Sequence, residues 1–99
     1  MELNVSHPGA IERAIQELEG IIVIIRRRPE DWIESFVYKR ASRHDITVLE
    51  FLENRLGPLG IKPEEVVVVD GNHQFTWGNL CSKITMGYLR DTFKEKVEG

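Results

Sequence analysis

Two short runs of β-branched aliphatic residues, Ile21 to Ile25 and Val66 to Val69, set the terms on which this chain can fold. Branching at Cβ crowds a helix and suits a pleated strand, so both runs read as strands. Neither alternates in polarity, and the first reads as a strand buried on both faces. Both are far shorter than the roughly 20 apolar residues that a membrane-spanning helix needs. The chain has 99 residues, enough for one domain. Its 41% hydrophobic and 29% charged residues exclude the disordered class, which has too little apolar surface to bury.

Helical periodicity fills the spaces around the two runs. Ile11, Ala14, Ile15 and Leu18 form one apolar stripe between Pro8 and Glu19, with Gly20 as the stop. Pro29-Glu30-Asp31 has the form of a helix start, and Trp32, Ile33, Phe36 and Val37 would share a helical face up to Tyr38. A strand over residues 35–40 is the competing assignment, because Phe36-Val37-Tyr38 suits a pleat. Asp45 is the expected cap of a further helix carrying Ile46, Leu49, Leu52 and Leu56 inward to Gly57-Pro58. Asp70-Gly71 is a hairpin signal, and Gln74-Phe75-Thr76-Trp77 alternates in polarity as a half-exposed return strand. Gly78-Asn79 should open a last helix running to about Lys96.

The expected order is therefore α-β-α-α-β-β-α. It describes a single α+β domain with a three-stranded sheet, including a β-hairpin, covered by helices. If residues 35–40 are extended, the sheet gains a fourth strand. Without the last helix this order resembles that of the winged-helix family. That resemblance would make the Asp70, Gly71, Asn72, His73 turn the tip of a wing and imply nucleic acid as the partner.

Net charge is −3, which does not point to a generic nucleic-acid binder. The charge is uneven, however. Arg26, Arg27, Arg28, Lys39, Arg40 and Arg43 face only Glu30, Asp31 and Glu34 within the same stretch. They form a candidate basic patch for nucleic acid or for an acidic protein surface. The single cysteine, Cys81, excludes an internal disulfide and a thiolate-rich zinc site. With no basic start and apolar run at the N-terminus, the expected setting is cytoplasmic, without a membrane.

No catalytic, metal or cofactor set emerges. His7, His44 and His73 fall on three separate loops, with no helical pair of ligands among them. Asp70 and His73, with Cys81 as a third member, are the one enzymatic alternative, and a tight turn explains the first two more simply. The last helix offers more. Leu80, Cys81, Ile84 and Tyr88 would lie on one face and Met86, Leu89 and Phe93 on another. A peripheral helix normally buries one stripe, so the second becomes a candidate surface for a protein partner or for self-association. The leading expectation is a non-enzymatic binding protein, a regulator or inhibitor acting on a protein partner.

Overall fold

The structure, a computed structural model, describes residues 5–28 and 30–94. Its elements in chain order are β1 (Val5–Ser6), α1 (Pro8–Glu19), β2 (Ile22–Ile25), β3 (Ile33–Glu34), α2 (Val48–Phe51), β4 (Val66–Val69), β5 (Phe75–Trp77) and α3 (Met86–Lys94). A π-helical segment, Leu52–Leu56, continues α2, and short 3-10 turns cover Gly57–Leu59, Pro63–Glu65 and Gly78–Leu80. The α+β class stands, with a three-stranded antiparallel sheet in the order β2-β4-β5 and a separate β1-β3 pair.

Strand register explains how the sheet is used. Ile24 stands opposite Val67, which stands opposite Trp77; Ile22 stands opposite Val69, which stands opposite Phe75. Side chains alternate across a strand, so these six share one face. Val23, Ile25, Val66 and Val68 take the other face and are buried. There they join Ile11 and Ile15 of α1, Val48 and Phe51 of α2, Leu52 and Leu56 of the π segment, and Met86 and Leu89 of α3 in one core. Every helix packs on this inner face.

The first helix follows its sequence signals, with Pro8 in the first turn and Gly20 left-handed at φ 73° to close it. The expected second helix does not form. Ile33 and Glu34 pair antiparallel with Ser6 and Val5, and the Ser6 and Ser35 hydroxyls lie 2.7 Å apart. The His7 ring meets that of Trp32 at 3.9 Å between centroids, and its Nδ1 lies 3.0 Å from the Asp31 carbonyl. Ile33 and Phe36 reach the core, while Trp32 and Val37 stay 65% and 64% exposed. Just beyond this stretch the backbone is held by tertiary partners: Arg55 donates to the Arg40 carbonyl, and the Ser42 N–H donates to Glu19. Residues 35–40 form neither helix nor strand. The winged-helix order is not realised. Pro29 and the expected helix end near Lys96 lie outside the described residues.

The later helices begin at threonines, not at Asp45 or Gly78. Thr47 caps α2 in a reciprocal box: its hydroxyl accepts from the Glu50 N–H, and its own N–H donates to the Glu50 carboxylate. Thr85 accepts from the Tyr88 N–H in the same way at the start of α3. The two threonines face each other in an antiparallel bridge. Val48 N–H donates to the Ile84 carbonyl and Met86 N–H to the Ile46 carbonyl, so each helix start supplies acceptors to the other.

Candidate functional site

The expected sites separate into three outcomes. The first concerns Met86, Leu89 and Phe93. Met86 and Leu89 are buried in the core and Phe93 packs against it, so this stripe presents no free surface. The expected twin stripe dissolves as well. Residues 78–85 are not α-helical, Cys81 is buried, and Leu80 and Tyr88 are exposed. Helical spacing merged two faces that the chain never places on one helix.

The second is the basic patch. Arg26, Arg27 and Arg28 follow the end of β2, whereas the Arg40 carbonyl and Ser42 are held beside Glu19, just before its start. At about 3.3 Å per residue, β2 itself separates the two groups by well over 10 Å. Several of the cations are occupied. Arg27 bonds Glu65 at 2.9 Å and the Gly60 carbonyl at 2.5 Å. Its hydrogen bond to Glu65 raises the Arg27 pKa and holds the Glu65 carboxyl below its ordinary range. Arg43 pairs with Asp45 at 2.7 Å, and Arg28 lies near Asp31 at 3.5 Å. Lys39 is exposed. The six residues do not form one patch.

The third is the Asp70–His73 turn. Asp70 Oδ1 accepts from the N–H groups of Asn72 and Gln74, an Asx turn that engages the carboxylate. The left-handed residue is His73, at φ 65°, and not Gly71. Gly71 is needed for close approach instead. A Cβ there would sit 2.1 Å from the Thr92 carbonyl oxygen, and its N–H donates to the Thr92 hydroxyl at 2.8 Å. The turn is docked on the end of α3. Cys81 is buried, donates to the Trp77 carbonyl at 3.4 Å, and has its pKa pushed up by burial to about 11, which keeps it a thiol. Among the described residues no group of three His, Cys, Asp or Glu could hold a metal ion, and no helix is long and apolar enough to cross a membrane.

What the sequence did not reveal is the outer face of the sheet. No helix lies over Ile22, Ile24, Val67, Val69, Phe75 and Trp77 among the described residues. Phe75 is 68% exposed, Trp77 45% and Ile24 39%. Val67 and Val69, between these side chains in the central strand, are 8% and 7% exposed. Arg26, next in the outward series after Ile24, places its guanidinium 5.9 Å from the Trp77 ring. Together Ile24, Arg26, Val67, Phe75 and Trp77 line a groove of about 230 Å³. The expected polarity of β5 is inverted: Thr76 is turned inward and half-buried, and the aromatics face solvent. The unalternating run Ile21–Ile25 was the available signal. It implies two covered faces, and the described helices cover one.

A second feature also escaped the sequence. Glu19 is 1% exposed and accepts from Arg55 and Arg90, both at 2.6 Å, and from the Ser42 N–H at 2.8 Å. Arg90 also donates to the carbonyls of Glu19 and Ser42. This buried triad ties α1, the segment before α2, the π segment and α3 together. Its bonds are all internal, which makes it a structural clamp and not an open site.

Comparison of the chain with family models, with curated proteins and with solved structures finds no match.

Proposed function

We propose that this chain is a non-enzymatic binding protein, a regulator or inhibitor, that engages a protein partner through the outer face of β2-β4-β5. The observation that carries this reading is the exposure of Ile24, Phe75 and Trp77 together on the one face of the sheet that no described helix covers. Apolar surface that carries exposed aromatic residues with an arginine beside them is the composition of an interface core. Trp, Tyr and Arg supply most of the binding energy where such cores are mapped. A cytoplasmic setting fits a chain whose one cysteine is buried and held as a thiol.

Replacing Ile24 with glutamate tests the reading, because it places a charge in the groove beside Val67 and Trp77 without entering the core. Partners captured from an extract by the wild-type protein should be lost by Ile24→Glu, with the circular dichroism spectrum unchanged. An identical set captured by both proteins would refute it.

Nucleic acid is the second reading, and one observation favours it: a guanidinium beside two exposed rings on a strand is suited to stacking on unpaired bases. The division of the basic residues between the two ends of β2, with Arg27 and Arg43 already paired, weighs against it. Fluorescence anisotropy of labelled single-stranded DNA and RNA decides between the readings. Binding that weakens steeply with salt and is lost in Arg26→Ala would favour nucleic acid.

A further inference from the structure

The two edges of the sheet are treated differently. On β2, the Ile25 N–H points away from β4 and is met by the Glu12 carboxylate of α1 at 2.8 Å. That edge is guarded by a charge. On β5 the pairing alternates from the Asp70 N–H to Gln74 carbonyl bond, which makes Val68 and Thr76 the next bonded pair. The N–H groups of Phe75 and Trp77 and the Phe75 C=O therefore point outward along an edge that no other strand pairs among the described residues, while the Trp77 C=O also accepts from the Cys81 thiol. From Gln74 to Ser82 the chain carries no charged residue, so the lysine or glutamate that commonly protects an exposed edge is missing.

We propose that the β5 edge is a self-association site, pairing antiparallel with β5 of a second copy about a two-fold axis through Thr76. This goes beyond the reading of the face, since it rests on the backbone of the edge. The register is self-complementary. Phe75 of each copy stands opposite Trp77 of the other; in each pair the Trp77 N–H donates to the Phe75 carbonyl, and the Phe75 N–H donates to the Trp77 carbonyl, which keeps a second lone pair beside its weak bond from the Cys81 thiol. The two rings of each pair fall on the outer face, where cross-strand aromatic pairs are favourable. Thr76 meets its own symmetry mate on the inner face. The neutral stretch lets the copies approach without repulsion. The result is a six-stranded sheet with one continuous outer face. Strand pairing buries less than the roughly 800 Å² per partner of a stable complex, so the dimer is weak and concentration-dependent.

Sedimentation velocity on the wild-type chain should show a monomer at low micromolar concentration shifting towards twice that mass as concentration rises. A chain that stays monomeric at about 1 mM overturns the proposal, since that excludes even millimolar affinity. Thr76→Cys tests the register. Residues opposed in a non-hydrogen-bonded pair have Cα atoms about 4.5 Å apart, within the reach of a disulfide. In a glutathione redox buffer Thr76→Cys should cross-link far more than Asn79→Cys, although Asn79 is the more exposed. Equal cross-linking at both sites overturns the register. Phe75→Pro removes an outward N–H, which an edge strand tolerates, and should weaken the dimer by about tenfold or more. A dimer that survives Phe75→Pro but is abolished by Ile24→Glu is held by the face, and the edge proposal fails while the reading of the face stands.

Discussion

The two faces of the sheet are built from the same residue types and meet opposite fates. Ile25 points into the helices and Ile24, its neighbour in β2, points to solvent. Val66 and Val68 join Phe51 in the core, while Val67 and Val69 lie on the opposite face between Ile22, Ile24, Phe75 and Trp77. Apolar character does not decide burial here. The supply of covering elements does, and α1, α2, the π segment and α3 all lie on one side. The lesson is that an unalternating strand states a requirement for cover, which the described helices meet on one face only.

The largest expected effect comes from undoing the clamp that holds the inner layer. Glu19→Ala leaves Arg55 and Arg90 in the interior without their carboxylate, and urea denaturation should show a loss of about 3–5 kcal/mol. Next comes a direct test of the two faces within one strand. Ile25→Ala should cost about 3 kcal/mol, and Ile24→Ala under about 1 kcal/mol, in dilute solution. Equal losses would mean that the outer face is covered even in the isolated protein. Cys81 sharpens the contrast on the inner side. Buried and held as a thiol, it should resist alkylation at mildly alkaline pH until denaturant is added, whereas a cysteine placed at Phe75 should react at once.

The smallest effect lies at the Arg27–Glu65 pair beyond the strand ends. The folded-state pKa of Glu65 is below its ordinary 4.5, so its contribution is present above that value and lost as pH falls through the folded pKa. Glu65→Gln should flatten the acid limb of the stability curve by under about 1 kcal/mol, because the pair is partly solvated.

Local signals carried much of this fold. Pro8 and Gly20 bracket α1, the two β-branched runs became strands, and Asp70-Gly71 closes the hairpin between β4 and β5. The failures share one cause: partners distant in sequence. The stretch up to Tyr38 has helical spacing, but β1 claims the Ile33–Glu34 backbone and Arg55 lies over the Tyr38 ring. Glu19 lies 36 residues from Arg55 and 71 from Arg90, so no window on the chain could join them. The Thr47 and Thr85 caps depend on each other's strand-like approach, which Asp45 and Gly78 masked with better local credentials. The outer face was hidden differently. Its residues were visible, but the expectation that cover existed on both sides assigned them to the interior.

The paired helix starts have a consequence for how the molecule assembles. Since the Val48 amide needs the Ile84 carbonyl and the Met86 amide needs that of Ile46, neither α2 nor α3 reaches its full bonding alone. Two segments 38 positions apart must meet before either turn is secure, which places their consolidation late, after the hairpin has formed between them. In native-state hydrogen exchange the first amides of both helices should open together as one cooperative unit, with a common free energy of opening.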